Sequence, residues 1–314
     1  MKGMDVFMNN NNLINYYNKF NEDKRLTRRH GIIEFRTALK YIHDYLSFID
    51  NAKIIDIGAG CGAYSNVLVN EGYDVTAVEL VKHNLMTLKK KNNNIKAFLG
   101  NAIDLSIFED NSFDIVLLFG PMYHLISDRD KIKALSEAKR IVKNDGYIFI
   151  SYYMNEYAVI THGFVENTIK DDIKNNLIDD NFHITPKEDD LYSMVRLEDI
   201  NYYKDVLNLK RVKIISQDGP SDYLRSVINK MDDETFEIYY NYHLSICERG
   251  ELLGASSHVL DILKKSWLIK VFFMNYYKNN SNNYIYNSNI CNCFQYSWHK
   301  NFYYVHIFFK YIFY

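Results

Sequence analysis

Three closely spaced glycines form the part of the chain best suited to chemistry. They stand in the stretch IIDIGAGCGAYS, residues 54–65, between a short apolar run and a segment of helical character: Gly58, Gly60 and Gly62. Because glycine has no Cβ, the backbone at these positions can approach a ligand closely. The helix that follows begins with unpaired N–H groups and the positive end of its dipole. The spacing therefore predicts a loop that holds a nucleotide-type cofactor.

An acidic residue downstream of this loop supplies complementary chemistry. Glu79 lies 21 positions after Gly58 and ends a second apolar run. A carboxylate at that place can accept hydrogen bonds from the hydroxyls of a ribose. NAD and S-adenosylmethionine both contain a ribose, and Gly58, Gly60 and Ala63 satisfy the dinucleotide pattern G-x-G-x-x-A. The glycines and the acid by themselves leave both cofactors open.

Three further features favour S-adenosylmethionine. Asp56 lies two residues before the first glycine of the loop, where dinucleotide-binding folds usually have an apolar residue. A helical arm of about 50 residues precedes the first predicted strand, whereas dinucleotide-binding domains often begin with that strand. The tripeptide Gly100-Asn101-Ala102 follows the third predicted strand, where a short polar side chain can address an adenine amine.

The scaffold for these residues is predicted from alternating apolar runs and helical segments. Such alternation indicates parallel β-α-β units with right-handed crossovers. The predicted strands are 53–57, 74–79, 95–99, 113–118 and 147–152, with two later candidates at 212–216 and 258–263. The helix between the fourth and fifth strands is predicted over 129–142, with its C-terminal stop at Asn144-Asp145-Gly146.

Four stretches resemble the class I S-adenosylmethionine-dependent methyltransferases: IIDIGAGCG (54–62), VTAVEL (75–80), GNAIDL (100–105) and FDIVLLFGPMYHL (113–125). A fifth, GASSHVLDILK (254–264), resembles the final antiparallel strand of the small-molecule methyltransferases of that family. The resemblance implies an α/β fold with a doubly wound, Rossmann-like, seven-stranded sheet whose last strand is antiparallel. An N-terminal helical arm and helical cap insertions are expected around it. It also implies S-adenosylmethionine as the cofactor.

The resemblance carries over to individual cofactor-binding residues. Those implied are Asp56, Gly58, Ala59, Gly60, Gly62, Glu79, Leu80, Asn101, Ala102 and Phe119. Glu79 would hold the ribose diol, and Leu80 would pack on the adenine. Asn101 stands where the family often has aspartate, so the adenine contact at this position departs from the family pattern.

Several residues outside these motifs have alternative roles. Tyr17 and Arg29 in the N-terminal arm could close over the cofactor, with the arginine paired to its carboxylate, or Arg29 could be an exposed member of a compensated cluster. His124 could act as a general base near neutral pH or could order its loop. Tyr152, Tyr153 and Asn155 are candidates for the acceptor side, against simple packing of the cap.

Three regions are expected along the chain. Residues 1–49 form a helical arm or lid, and 50–264 form the methyltransferase domain with helical insertions at about 156–208 and 222–248 that cover the carboxyl edge of the sheet. From 265 to 314 the chain has no Gly, Pro, Asp or Glu but nine Tyr, nine Asn and seven Phe, without periodicity over most of its length. We expect this tail to lie outside the fold, as a frameshifted or read-through end, with a small aromatic binding module as the alternative.

Composition narrows the function classes. A formal net charge of −2 and acidic insertions argue against DNA or RNA as substrate. Four scattered cysteines, no signal-like N-terminus and no long apolar stretch favour the cytoplasm over a secreted or membrane protein. The histidines show no H-E-x-x-H spacing, so no metal is expected.

The expected function is therefore methyl transfer to a small molecule whose identity the sequence does not reveal. An NAD-dependent oxidoreductase and a catalytically silent binding or interaction protein are the alternatives.

Overall fold

The computed structural model describes residues 11–19 and 26–266 and, beyond these, the backbone of 272–278 and 284–290. The chain divides into two compact units, residues 1–265 and 266–314. No helix among the described residues is both long and apolar enough to cross a membrane.

In the described part of the first unit, two helices come first, and strands then alternate with helices. Up to the fifth strand the elements are α1 (Asn11–Lys19), α2 (Arg29–Leu46), β1 (Lys53–Ile57), α3 (Ala63–Asn70), β2 (Asp74–Glu79), α4 (Lys82–Lys91), β3 (Lys96–Leu99), β4 (Phe113–Leu118), α5 (Pro121–His124), α6 (Asp128–Ile141) and β5 (Val142–Tyr153). After it come α7 (Asn155–Ala158), a π-helix (Val159–Val165), α8 (Ile169–Lys174), α9 (Leu197–Val206), β6 (Leu209–Ser216), α10 (Arg225–Ile228), α11 (Asp233–Ile246) and β7 (His258–Lys265).

A seven-stranded sheet forms the centre of this unit, in the order β3-β2-β1-β4-β5-β7-β6. Strands β1 to β5 are parallel, and β7 is antiparallel to both of its neighbours, β5 and β6. The strand order reverses between β1 and β4, and ligands of open α/β sheets bind outside the carboxyl ends of the strands at such a point. The expected doubly wound sheet with an antiparallel last strand is confirmed.

Two apolar clusters bury the two faces of the sheet. Alternate residues of one strand point to opposite faces, so Ile54 belongs to one cluster and Ile55 to the other. Helix α2 contributes Ala38 and Ile42 to the first of these, which attaches the helix to the sheet. Such two-sided burial fits strands that are apolar along nearly their whole length.

The helix before β5 ends within one residue of its predicted bound, but the predicted stop signal is wrong. Helix α6 ends at Ile141, and Asn144-Asp145-Gly146 lie inside β5 rather than at a helix stop. A Cβ at Gly146 would lie 2.5 Å from the carbonyl oxygen of Asp114, so this glycine permits the close approach of β4. The register of the two strands shifts at this point, between Phe113 and Ile115.

The two insertions differ in their helical content. The second contains α10 and α11 and is helical, as predicted. The first insertion has helices at both ends, but its residues 175–196 contain no helix. Asn155 holds this stretch in place, because its Oδ1 accepts from Ile184 N and its Nδ2 donates to Phe182 O.

The second unit contains an antiparallel pair of strands, β8 (Phe272–Lys278) and β9 (Tyr284–Ile290). That residues 265–314 are not part of the functional protein stays a prediction.

Candidate functional site

The glycine loop leaves β1 at the carboxyl edge of the sheet and turns sharply into α3. Gly58, Gly60 and Gly62 have φ values of 74°, 55° and 79°, in the left-handed region that side chains other than glycine rarely adopt. A Cβ on Gly58 would lie 2.6 Å from Cδ of Pro121, which is part of a ring and cannot swing away. The loop conformation and the close packing against α5 therefore both require glycine at position 58.

Glu79 holds the glycine loop next to the start of α4. Its Oε2 accepts a hydrogen bond of 2.8 Å from Gly60 N, and its Oε1 accepts one of 2.7 Å from Val81 N. Burial raises the pKa of this carboxyl to about 7, against the opposing effect of the backbone donors. The side chain of Asn84 also hydrogen-bonds this carboxyl. Two carboxylate oxygens together offer about four acceptor sites, so capacity remains for a ligand hydroxyl.

Asp56 is enclosed beneath the same loop. It is 2% exposed, and its Oδ2 accepts a hydrogen bond of 2.6 Å from Ser65 Oγ on α3. Burial raises the pKa of Asp56 to about 6, although the hydrogen bonds from Ser65 act in the opposite direction. The contact ties the end of β1 to the helix that follows the glycine loop.

Asp56→Asn is expected to gain stability relative to the wild type as the pH rises. The folded-state pKa of Asp56 lies above its unfolded value, so the stability that this carboxyl contributes is complete below pH 4 and is lost as the pH rises through 6. The rise of the Asp56 pKa from 3.8 to about 6 corresponds to about 3 kcal/mol of folding free energy. Asparagine can keep the acceptor for Ser65 and has no such dependence. Urea unfolding of both ligand-free proteins from pH 4 to 8 measures the difference, and a difference constant over this range would contradict the assignment.

The structure brings most of the predicted cofactor-binding residues to one cavity. Its lining includes Asp56, Gly58, Ala59, Gly60, Glu79, Leu80, Asn101, Ala102, Phe119 and Tyr17. Gly62 is not part of this lining and instead caps the start of α3. We call this space the donor cavity; it combines a buried carboxylate, a glycine loop and apolar walls.

The side chains that line the donor cavity fit an adenosyl group. Glu79 can accept from a ribose diol, while Leu80 and Ala102 offer apolar contact for a base. The side-chain oxygen Oδ1 of Asn101 accepts from Ile103 N at 3.2 Å, and the NH2 group of the same amide can donate to an acceptor on the base.

His124 connects the N-terminal arm to the loop before α9. Its Nδ1 lies 2.8 Å from the carbonyl oxygen of Leu191, which can only accept, so Nδ1 carries the proton. Its Nε2 lies 2.7 Å from the hydroxyl of Tyr17 and accepts from it. Both ring nitrogens are thus engaged by protein groups, an arrangement that matches the ordering alternative better than the general-base alternative.

Arg29 is not brought to the donor cavity. Its guanidinium lies 2.5 Å from Asp233 and 5.0 Å from the ring centroid of Phe236, both on α11. The prediction that Arg29 faces the cofactor is therefore corrected. The long insertion between β6 and β7 supplies a carboxylate that no sequence spacing relates to position 29.

A second cavity of about 660 Å³ adjoins the first and shares Tyr17 and Tyr123 with it. Six tyrosines contribute to its wall, and we call it the tyrosine cavity: Tyr16, Tyr17, Tyr123, Tyr153, Tyr157 and Tyr192. Its size falls within the range usual for small-molecule sites. Both insertions contribute to it, for instance through Tyr157 and Asp222.

Sequence reasoning found part of this second cavity. Tyr153 lines it, whereas Tyr152 is 1% exposed and stacks on Tyr203 on the other side of the strand. It missed the charged residues of the wall, among them Glu34, Asp218 and His258. Glu34 could have been recognised from the sequence, because it is an acid on the apolar face of an amphipathic helix. A charge buried there without a partner would be costly, so its position indicates a polar site nearby.

The central part of the chain is similar to known methyltransferases. Residues 55–150 match a family model described as a methyltransferase domain. A demethylmenaquinone methyltransferase from Renibacterium salmoninarum is 27% identical over 114 residues, which are 36% of this chain and 46% of that protein. An uncharacterised methyltransferase from Mycobacterium bovis is 32% identical over 94 residues, 30% of this chain and 37% of that protein. The chain thus spans less than half the length of either relative.

Among solved structures, a methyltransferase from Methanosarcina mazei described as SAM-dependent aligns with a TM-score of 0.49. The alignment has 14% sequence identity and covers 72% of this chain and 96% of that one.

Proposed function

Because residues 55–150 match the model of a methyltransferase domain, we propose that this chain is a class I S-adenosylmethionine-dependent methyltransferase and transfers a methyl group to a small-molecule acceptor bound in the tyrosine cavity. The observation that carries the proposal is that the two cavities lie side by side. The donor cavity, whose lining fits an adenosyl group, shares Tyr17 and Tyr123 with a second cavity that has the volume of a small-molecule site. The demethylmenaquinone methyltransferases among the relatives support a small-molecule acceptor by their names.

The residues of the chain would act mainly by positioning. When bound, the cofactor supplies a methyl group already activated on a sulfonium. Glu79 and the glycine loop would fix the donor, and the tyrosine walls would align the acceptor with it. Alignment of two reactants can lower a barrier by about 7–11 kcal/mol.

His124 enters this proposal as a positioning residue. Its contacts with Tyr17 and Leu191 would hold α1 over the junction of the two cavities. The arm would then limit the access of water to the reacting atoms.

Calorimetry on the full chain tests the proposal. S-Adenosylmethionine and S-adenosylhomocysteine are expected to bind with one site per chain, and NAD is expected not to bind. Methyl transfer is then measured as the formation of S-adenosylhomocysteine during an acceptor screen. A folded chain that binds neither adenosyl compound, or that binds NAD more tightly, would contradict the proposed function.

A further inference from the structure

Residues 191–195 belong to the first insertion, and their side chains alternate between two environments. We call them the strap segment. Ser193 and Val195 are each 3% exposed, whereas Tyr192 and Met194 line the tyrosine cavity. Alternation with a period of two is typical of an extended chain. One side of the strap segment is therefore buried against the domain, and the other side forms part of the cavity wall.

Main-chain hydrogen bonds join the strap segment to the carboxyl edge of the sheet at two places. Val195 N donates to the carbonyl oxygen of Tyr153 at 2.9 Å, at the end of β5. Ser193 N donates to the carbonyl oxygen of Tyr123 at 2.8 Å, in the short helix α5 that follows β4. These two contacts fix the path of the backbone along the edge.

Lys131 on α6 holds the same segment through its side chain. Its Nζ donates to Ser193 Oγ at 2.9 Å and to the carbonyl oxygen of Ile126 at 3.0 Å. The lysine is 1% exposed and shares the buried face of α6 with Ala134 and Leu135. The amine therefore joins a helix of the domain to the segment that forms the cavity wall.

A lysine at this position costs stability. Burial lowers the pKa of Lys131 to about 8, although the carboxylates of Asp128, Asp199 and Asp130 oppose this effect. A methionine would suit the buried face of α6 without the cost of burying a charge. A residue that breaks the local pattern at such a cost is expected to serve a functional site rather than the core.

A serine paired with a lysine can also be a nucleophile that the amine activates. Ser193 is 3% exposed, however, and neither it nor Lys131 belongs to the lining of the donor cavity or of the tyrosine cavity. A molecule bound in either cavity would not contact the hydroxyl. The pair therefore acts through the residues on both sides of Ser193.

Tyr192 stands next to the place where the two cavities adjoin. The centroid of its ring lies 5.1 Å from that of His124 and 6.3 Å from that of Tyr123. His124 lines the donor cavity, and Tyr123 lines both cavities. Donor and acceptor have to be aligned at this boundary, where a misplacement of about 1 Å can lower a rate about a hundredfold.

We propose that Lys131 is a positioning residue for methyl transfer: by holding Ser193, it sets the place of Tyr192 and Met194 in the wall against which the acceptor is aligned. The inference rests on the proposed function, because it concerns the acceptor side of the same site. Lys131 itself does not contact the reactants.

Amide hydrogen exchange on the full, ligand-free chain tests the link. The amides of Ser193 and Val195 should exchange at least about tenfold faster in Lys131→Met, because the strap segment loses a hydrogen bond from a charged donor. Ser193→Ala removes the other partner and should have the same effect. The double variant should exchange no faster than either single variant, because all three lose one contact. Lys133→Met removes an exposed lysine of the same helix and should change nothing.

Turnover separates a positioning role from a purely structural one. With the acceptor that the screen identifies, Lys131→Met and Ser193→Ala should each lower kcat at least about tenfold, while the affinity for S-adenosylhomocysteine stays within about twofold. A purely structural role predicts a lower free energy of unfolding but the kcat of the wild type in the folded protein. If Lys131→Met does not fold, Ser193→Ala decides the same question.

Several results would overturn the inference: unchanged exchange of the strap segment in the folded variants, equal acceleration in Lys133→Met, or a kcat equal to that of the wild type. Acceleration spread evenly over α6 and β5 would overturn it in favour of a role in the core. If S-adenosylhomocysteine does not bind, or no acceptor is methylated, the proposed function fails separately. The exchange rates then still decide whether Lys131 holds the strap segment.

Discussion

Glu79→Ala is expected to reduce the affinity for S-adenosylhomocysteine at least about a hundredfold. At pH 8, where a carboxyl with a pKa of about 7 is mostly ionised, two hydrogen bonds from a ribose to this charged acceptor contribute about 1.5–3 kcal/mol each, and alanine removes both. It also removes the acceptor for Gly60 N and Val81 N, so the glycine loop loses the side chain that holds it. Isothermal titration calorimetry on wild type and variant measures the change.

Two matched variants separate the role of Glu79 from general damage. Glu79→Gln keeps one acceptor oxygen and the length of the side chain, and an intermediate loss of affinity is expected. Glu71→Ala removes an acid at the end of α3 that contacts His43 at the surface, and it should bind like the wild type. Wild-type affinity in a folded Glu79→Ala protein would show that the carboxylate does not contact the ligand.

Arg211→Met is expected to lower the free energy of unfolding by about 3–5 kcal/mol. Asp261, 0% exposed in the middle of β7, accepts hydrogen bonds of 2.7 and 2.8 Å from Arg211 Nε and Nη2. Without the guanidinium, the carboxylate is left buried without this partner between β5 and β6. Burial already raises the pKa of Asp261, although Arg211 opposes it. The deficit of the variant should therefore shrink as the pH falls toward 4, because protonation removes the buried charge.

The double variant Arg211→Met/Asp261→Val provides the decisive comparison. It removes both charges, and it should recover at least half of the stability that the single variant loses. Lys96→Met breaks an exposed pair with Asp74 between β2 and β3 and should cost less than about 1 kcal/mol. Chemical unfolding of all four proteins measures these values. A loss in Arg211→Met as small as that in Lys96→Met would refute the assignment.

In the buried pair of Arg211 and Asp261, the aspartate lies on a strand that also contributes to the wall of the tyrosine cavity. Strand β7 begins at His258, which belongs to the cavity wall, and Asp261 lies three residues further along the same strand. Loosening the contact between β6 and β7 would therefore be expected to disturb the wall as well as the sheet.

Features that depend on neighbouring residues are predictable from the chain without its structure. Strands 53–57, 74–79 and 113–118 have the predicted bounds, because a short apolar run closed by glycine or polar residues is a local signal. The glycine loop and Glu79 were found in the same way. Both lie at the ends of adjacent parallel strands, so the strand order implied by the family resemblance was enough to bring them together.

Contacts between side chains distant in sequence are visible only in the folded chain. Examples are the contacts of Arg29 with Asp233, of His124 with Tyr17 and of Glu34 with His258. The two members of each pair are about one hundred to more than two hundred positions apart in the sequence. Gly146 likewise permits close strand packing rather than a helix stop, because its neighbour Asp114 lies on another strand. Local periodicity and turn chemistry carry no information about such pairs. Their geometry follows from how the arm and the two insertions pack over the carboxyl edge of the sheet.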